Sequence, residues 1–199
     1  MIKFIDISIE EPYQKFNNLY KKAISCSQKN IEAIAISSYD PKEEKVQSRF
    51  VNLKYIKGNE WIFFSNYNSN KSNEFRAHSQ ISGLIFWNSI NIQVRLSGEI
   101  FITDKSFSDK HFSERSREKN ALAISSNQSR EIDSFKKVIQ NYEKTISNNK
   151  KLQQRPDYWG GFSFIPNFFE FWEGKNNRLN KREAFIKKDD LWEKTFLQP

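Results

Sequence analysis

The sequence predicts a mainly β protein, a barrel with helical additions, and three observations lead to this class. Several short segments alternate apolar and polar residues with a period of two, as half-buried strands do. Turn-forming pairs such as Gly58-Asn59 and Asp189-Asp190 lie between such segments. Two or three segments with helical periodicity are inserted among them. Short strands joined by turns in this way are typical of antiparallel barrels.

The first part of the chain predicts one helix and then a β-hairpin. Between Glu10 and Asn30, apolar residues recur every three or four positions, which predicts an N-terminal helical segment within residues 1–30. Ile31–Ser37 alternates apolar and other residues, which predicts a strand. Tyr39–Lys45 is polar and contains Pro41, so we expect a turn there.

Four further segments predict strands. Asn91–Thr103 has the clearest pattern, because Ile, Val and Leu occupy one face and polar residues the other. Ile81–Trp87 is apolar on both faces, which predicts a central strand. The other two segments are Phe50–Ile56 and Glu60–Ser65.

The second half predicts helices and then the last strands. Asp104–Glu118 begins with a candidate helix cap and is rich in Ser, Lys and Arg, and Ser134–Ile146 carries one apolar helical stripe. The remaining strand candidates are Tyr158–Trp172, Glu183–Lys187 and Leu191–Phe196.

The amino-acid composition limits the classes of protein to which this chain could belong. The 199 residues suit a single domain, residues 1–199, and the 15% aromatic content argues against disorder despite a mean hydropathy of −0.77. One Cys and two His exclude a disulfide framework and argue against a metal site. The first residues lack the apolar stretch of a signal peptide, and no run has the length of a membrane helix, so we expect a cytoplasmic protein without a membrane partner.

Generic catalytic motifs are missing from the sequence. The 6 Gly are scattered and form no phosphate-binding loop, and neither His78 nor His111 lies in a nucleophile or metal arrangement. If the protein is an enzyme, we therefore expect a bound cofactor to supply the chemistry.

Several motifs in order resemble one known family. The C-terminal stretch Arg155–Phe185 contains RPDYWGG, EFWEG and RLNKR, and upstream lie SRFVNLK (Ser48–Lys54), FFSNYNSNK (Phe63–Lys71) and IQV (Ile92–Val94). Together they resemble the pyridoxamine 5'-phosphate oxidase family over nearly the whole chain. Separate motifs in the right order are more specific than a single short match.

The resemblance implies an FMN-binding split β-barrel of Greek-key type. It also implies a homodimer with FMN at the subunit interface, in which residues 155–199 form a dimerisation and substrate region. The implied activity is an FMN-dependent oxidation of pyridoxamine or pyridoxine 5'-phosphate to pyridoxal 5'-phosphate, with O2 as acceptor and H2O2 as product.

Matching the motifs residue by residue implies the members of the site. The FMN-binding positions are Arg49, Val51, Asn52, Leu53, Lys54, Phe64, Ser65, Lys71, Gln93, Gln128, Ser129, Trp172 and Arg182. The substrate-binding positions are Lys54, His111, Arg115, Lys119, Arg178 and Asn180. Arg178, which matches the arginine beside the reacting carbon of the substrate, is the catalytic candidate. Fixed cations such as Arg49 and Lys71 suit the FMN phosphate.

Five positions depart from the family pattern. Asn180 stands in place of a histidine, Lys181 in place of an aspartate, and Asn70 in place of an arginine. His111 and Lys119 replace a tyrosine and a serine, but both can donate a hydrogen bond to a phosphate. Asn180 keeps hydrogen-bonding capacity but cannot ionise near neutral pH.

These departures leave alternatives open. One is a protein with the same FMN cleft and another substrate, such as a phenazine-type oxidase or a flavin reductase. Another is a noncatalytic binder of FMN or pyridoxal phosphate. The net charge of +8 also suggests nucleic acid, but no binding signature accompanies the basic residues, so we expect a phosphorylated small molecule and no nucleic-acid partner. Taken singly, Arg49, Lys54 and Lys71 could each be an ordinary solvated side chain on the protein surface.

Overall fold

A nine-stranded sheet forms most of the structure, a computed structural model that describes residues 1–148 and 152–199. The strands are β1 (Lys3–Ile5), β2 (Ala33–Asp40), β3 (Lys45–Lys57), β4 (Glu60–Asn66), β5 (Gln80–Trp87), β6 (Ile92–Ile102), β7 (Trp159–Glu173), β8 (Lys181–Lys188) and β9 (Leu191–Leu197). The helices are α1 (Glu11–Ser25), α2 (Asn70–Ala77), α3 (Lys105–Ser113), α4 (Arg117–Ser125) and α5 (Phe135–Asn148), with a short 3-10 turn at Asn88–Ile90. The predicted mainly β class is confirmed.

The sheet closes on itself through β4. The strand order is β1-β3-β2-β5-β6-β7-β8-β9, and β4 pairs with both β3 and β7. A ring of β3, β2, β5, β6, β7 and β4 results, while β8 and β9 extend the sheet from β7. All these pairs are antiparallel except the short pairing of β1 with β3.

The core lies inside this ring, and α1 covers it. Strand alternation directs Val94 and Leu96 of β6 inward, where both are buried. Phe16 of α1 is fully buried, with its ring centroid 4.4 Å from that of Trp61 and 5.2 Å from that of Trp87. The helix therefore anchors to two strands through large aromatic contacts.

Strand β5 was predicted to be a central strand, and this is confirmed, although only one of its two faces is buried in the single chain. It lies between β2 and β6. However, Leu84 and Phe86 on its outer face are 38% and 53% exposed, because only the inward face points into the ring. Phe50 of β3, on the same outer face, is 77% exposed. We call Phe50, Leu84 and Phe86 the outer apolar face.

Other boundaries differ from the predicted ones. Helix α1 ends at Ser25 instead of continuing to Asn30, and Cys26 just beyond it is exposed. The predicted segment 104–118 is divided into α3 and α4, since the hydroxyl of Ser116 accepts a hydrogen bond from the backbone N–H of Lys119 and starts a new helix. Helix α2 and strand β1 were not predicted.

Candidate active site

A cavity of about 880 Å3 opens beside β3, where α2 and the α3–α4 corner approach it. Most of the residues that the motifs predicted for the site line this cavity. They are Arg49, Val51, Asn52, Lys54, Phe64, Ser65, Lys71, His111, Arg115, Lys119, Gln128 and Ser129. Residues far apart in the sequence thus surround one space.

One part of the cavity wall holds two cations and a carboxylate. Nη2 of Arg49 lies 2.8 Å from Oε2 of Glu74, and Nη1 donates to the hydroxyl of Ser38 at 2.5 Å. The Ser38 hydroxyl in turn donates to Glu74. The Lys71 Nζ donates to the Ser69 hydroxyl at 3.1 Å. Lys71 and Glu74 are only 7% and 4% exposed, so this polar group is held within the protein.

The surroundings of Lys71 lower the pKa of its ammonium group. Burial lowers the pKa of Lys71 to about 8, and the neighbouring Arg49 cation acts in the same direction, while Glu74 opposes both. Lys71 therefore remains mainly protonated at neutral pH. Its ammonium has three donors, of which one reaches Ser69. An anion in the cavity would stabilise this buried charge.

Aromatic rings form another part of the wall. The ring of His111 stacks on Phe64, with centroids 3.7 Å apart, and Nδ1 of His111 lies 2.8 Å from the hydroxyl of Tyr55. Burial lowers the pKa of His111 to about 4, assisted by nearby cations of which Arg115 acts most strongly, so the imidazole is neutral at neutral pH. His111 can thus donate a hydrogen bond there but carries no charge.

Arg115 lies beside this aromatic group. Its guanidinium carbon is 4.4 Å from the ring centroid of Trp159, a cation–π contact. Burial lowers the pKa of Arg115 to about 10, which still leaves it charged. Its Nη1 is buried and has no hydrogen-bond partner among the described residues. A buried, unpaired donor is costly, which favours an anionic ligand at this position.

Gln128 connects the loop after α4 to β4. Its Oε1 accepts hydrogen bonds from the hydroxyl of Ser65 at 3.1 Å and from the backbone N–H of Asn66 at 3.2 Å. Lys54 lies on the β3 side, with its Nζ 3.6 Å from Glu32. These contacts hold Gln128 and Lys54 at the cavity.

The remaining predicted residues do not line this cavity. The side chain of Leu53 is completely buried in the core, so only its backbone is available to a ligand. Gln93, Trp172 and Arg182 lie side by side on β6, β7 and β8, where they are register partners. Arg182 is held by Glu170, with 2.7 Å between Nε and Oε1.

Arg178 and Asn180 lie in the loop between β7 and β8. Arg178 is exposed and has a left-handed backbone, with φ of 62°. The side chain of Asn180 accepts a hydrogen bond from the backbone N–H of Lys175 at 3.0 Å, which stabilises the loop. In the single chain, these two residues are therefore separate from the cavity.

Sequence reasoning missed Glu74 and Ser38. Glu74 is three residues after Lys71 on α2, the spacing of neighbours on one helix face. That spacing was visible in the sequence, but the helix was not predicted. The residues next to Ser38 in the sequence gave no sign that it would contact Arg49 and Glu74. It does so because β2 pairs with β3, which carries Arg49.

Similarity to known proteins shows the family of this chain. The family model described as the pyridoxine 5'-phosphate oxidase C-terminal dimerisation region matches residues 159–199. A pyridoxine/pyridoxamine 5'-phosphate oxidase of Haemophilus influenzae is 30% identical over 190 residues, which cover 96% of this chain and 90% of that protein. The chain belongs to the pyridoxine/pyridoxamine 5'-phosphate oxidase family. It is therefore an enzyme of the oxidoreductase class.

Another member of the oxidase family gives a similar match. The protein of the same name from Trichormus variabilis is 31% identical over 191 residues, covering 94% of this chain and 88% of that protein. The chain thus spans nearly the full length of these oxidases.

Solved structures agree on the fold. PhzG from Burkholderia lata 383, in complex with tetrahydrophenazine-1-carboxylic acid, has a TM-score of 0.90 at 24% identity, covering 96% of this chain and 93% of that one. A pyridoxamine 5'-phosphate oxidase-related, FMN binding protein from Nostoc punctiforme has a TM-score of 0.79 at 11% identity, covering 96% and 99%. The predicted split-barrel fold is confirmed.

Two features are absent from the described residues. Within residues 1–148 and 152–199, no group of three or more His, Cys, Asp and Glu side chains is placed to hold a metal ion. Among the helices of that same part of the chain, none is both long enough and apolar enough to cross a membrane.

Proposed function

We propose that this protein is an FMN-dependent oxidase that converts pyridoxamine or pyridoxine 5'-phosphate to pyridoxal 5'-phosphate. The acceptor is O2 and the second product is H2O2. The observation that carries the proposal is that one cavity holds two separate groups of cations, in a chain of this oxidase family. Arg49 and Lys71 form one group, and Lys54, Arg115 and Lys119 form the other.

The spacing of these groups suits two phosphorylated ligands. Arg49 and Lys54 are both on β3, and an extended strand covers about 16 Å over that separation. FMN and the substrate each carry one phosphate. Two cationic groups at this distance support one phosphate at each, with the ring systems of both ligands between them.

The residues at the first group fit the phosphate of FMN. Within the part of the chain that the structure describes, the buried Lys71 ammonium has one hydroxyl partner. Arg49 is held at one edge by Glu74 and Ser38, and its other donors have no partner among those residues. Ser65 and Gln128 then supply hydrogen bonds beside the ring system. We propose that Val51, Asn52 and Leu53 border it through their backbone, and that Phe64 and Ser129 complete this wall.

The second group suits the phosphate of the substrate. Arg115 supplies its unpaired Nη1, and Lys119 and Lys54 supply further charge. Burial raises the pKa of Tyr55, so its phenol stays protonated and can donate to Nδ1 of His111. That arrangement leaves the proton of the neutral imidazole on Nε2, which can donate to the phosphate.

The chain itself supplies binding and orientation. FMN held by Arg49, Lys71, Ser65 and Gln128 would supply the redox chemistry, which is hydride acceptance from the exocyclic carbon of the substrate and reoxidation by O2. The cations fix the substrate at its phosphate, and the aromatic wall of Phe64, His111 and Trp159 excludes water from one side of the cavity. Positioning of this kind contributes much of the rate enhancement of cofactor enzymes.

We further propose that a homodimer completes the site. The outer apolar face is exposed in the single chain, and the matched C-terminal region is described as a dimerisation region. Gln93, Trp172, Arg182, Arg178 and Asn180 lie outside the cavity of their own chain. A second copy that covers the outer face would bring its own set of these residues to the cavity, with Arg178 at the reacting carbon.

Anaerobic reduction tests the proposal. The purified protein is loaded with FMN, and pyridoxine 5'-phosphate is added without oxygen while the flavin absorbance is recorded. We expect the flavin band to bleach and to return in air with formation of H2O2. Pyridoxine without its phosphate is the control and should bleach the band far more slowly. A flavin that never bleaches with the phosphorylated compound would contradict the substrate, and a protein that cannot be loaded with FMN would contradict the function.

Asn180 favours a second candidate, an oxidase with the same FMN cleft and a different substrate. The family motif has a histidine at this position, whereas the Asn180 side chain is engaged with the backbone of Lys175. An Asn180→His variant separates the candidates. A large gain in turnover of pyridoxine 5'-phosphate would indicate that the native site is adapted to another substrate.

A further inference from the structure

A buried carboxylate that cannot itself bind a phosphate lies beside the first group of cations, Arg49 and Lys71. Glu74 is 4% exposed, and its Oε2 accepts hydrogen bonds both from Nη2 of Arg49, at 2.8 Å, and from the hydroxyl of Ser38. A carboxylate at a phosphate-binding site repels the ligand. Its presence there therefore requires a compensating role.

The contacts of Arg49 indicate that role. Nη1 donates to the Ser38 hydroxyl at 2.5 Å and to the backbone oxygen of Ile36 at 3.5 Å, while Nη2 donates to Glu74. Residues of β2 and α2 thus hold the two terminal nitrogens, Nη1 and Nη2, of the Arg49 guanidinium through three hydrogen bonds. Among the described residues, Nε and one N–H of Nη2 have no hydrogen-bond partner, so they are available to an anion in the cavity.

Glu74 also acts on the second cation. Lys71 and Glu74 are three residues apart on α2, on the same helix face. Of the charged groups that act on Lys71, Arg49 on β3 favours loss of its proton and Glu74 on α2 favours its retention. Glu74 is therefore the counter-charge that allows two cations to lie side by side in a mostly buried position.

We propose that Glu74 is a positioning residue for phosphate recognition, which holds Arg49 against β2 and keeps Lys71 in its ammonium form. This inference rests on the proposed function, since it assumes that the phosphate is that of FMN. It adds that recognition of the phosphate, and not of the flavin ring, depends on the carboxylate of Glu74.

Comparison of FMN with riboflavin tests this inference, because riboflavin has the same ring system and no phosphate. Flavin-free wild-type protein and the Glu74→Gln variant are titrated with both compounds, and quenching of flavin fluorescence gives the dissociation constants. For Glu74→Gln we expect the affinity for FMN to fall about tenfold or more, with the affinity for riboflavin unchanged. Glu183→Gln is the matched control, because Glu183 is also a buried, ion-paired carboxylate but does not line the cavity.

The pH dependence provides a readout that a merely structural role would not change. Lys71 has a pKa of about 8, so the wild-type affinity for FMN should fall above that pH while the affinity for riboflavin stays constant. Without the carboxylate of Glu74, Lys71 loses its proton more easily. The decline of FMN affinity should then begin at lower pH in Glu74→Gln.

A second variant decides the question if Glu74→Gln does not fold. Ser38→Ala removes the hydroxyl between Arg49 and Glu74 but keeps the carboxylate charge. We expect a loss of about two- to fivefold in FMN affinity, with no loss for riboflavin and no change in the pH at which the decline begins.

The outcomes separate this inference from the proposed function. Equal losses for FMN and riboflavin in Glu74→Gln, unchanged or tighter FMN binding, or an unchanged pH profile would each overturn the role of Glu74 and leave the oxidase assignment standing. If only Ser38→Ala folds, equal losses for both flavins, or none for FMN, overturn the role. A wild-type protein that binds no FMN overturns the assignment and this inference together.

Discussion

The imidazole of His111 stacks on the ring of Phe64, with centroids 3.7 Å apart and ring planes within 13° of parallel. Tyr55 contacts Nδ1 of the same imidazole, and burial together with neighbouring cations keeps the ring neutral. His111 thereby serves as an aromatic wall and a neutral donor, at a position where the family pattern has a tyrosine.

His111 makes the folded protein less stable in acid. Its pKa is about 4 in the folded protein and near 6.5 in an unfolded chain, so the unfolded state binds more protons between these values. The free energy of unfolding therefore decreases as pH falls from about 6.5 to 4. In His111→Phe, which keeps the stacking, we expect this acid-dependent loss to be smaller by about 1–2 kcal/mol. Urea unfolding at pH 7 and pH 4.5 measures it, and equal losses in both proteins would contradict the assignment.

Arg115 should be needed as a guanidinium and not only as a charge. Arg115→Lys keeps the positive charge but loses the planar fork and the stacking on Trp159. We expect kcat/KM for pyridoxine 5'-phosphate to fall about 10- to 100-fold, while FMN affinity is unchanged. Arg117→Lys, an exposed position at the start of α4, is the control and should retain full activity. Steady-state kinetics on both variants decides whether the site requires this geometry.

A charge on the outer apolar face should separate the subunits. Phe86→Glu places a carboxylate on the exposed face of β5, which would be buried against a second copy. We expect a monomer in analytical ultracentrifugation, together with weaker FMN binding because the partner's share of the site is lost. Phe135→Glu alters a still more exposed phenylalanine, on α5, and should leave the oligomeric state unchanged. A Phe86→Glu protein that remains a dimer would place the interface elsewhere.

Phe16 should contribute strongly to stability. It is fully buried between Trp61 and Trp87, and it packs α1 against the sheet. Phe16→Ala should lower the free energy of unfolding by about 3–5 kcal/mol, since it leaves a cavity between aromatic rings. Denaturant unfolding measures the loss, with Ile9→Ala at an exposed position as the control. A loss below about 1 kcal/mol would mean that α1 contributes little to the core.

Local periodicity predicted the regular elements well where one face is buried. Strand β6 was expected at Asn91–Thr103 and extends over Ile92–Ile102, because its alternation directly reflects one inward face. Helix α2 was missed, because Asn70–Ala77 is polar and carries no apolar stripe. It instead buries Lys71 and Glu74 at the cavity. There Arg49 and Ser38 on neighbouring strands stabilise Glu74, while Glu74 and Ser69 stabilise Lys71.

The sequence by itself determined the mainly β class, the family motifs and the set of candidate cations, because alternation and motif order are local properties of the chain. Only the tertiary structure decided which candidates meet. Pairing of β2 with β3 and the approach of α2 bring Ser38, Arg49, Lys71 and Glu74 together, whereas Gln93 and its strand neighbours lie outside that cavity. The reason is physical: strand pairing and burial join residues that are distant along the chain, and the spacing of residues in the sequence does not specify those contacts.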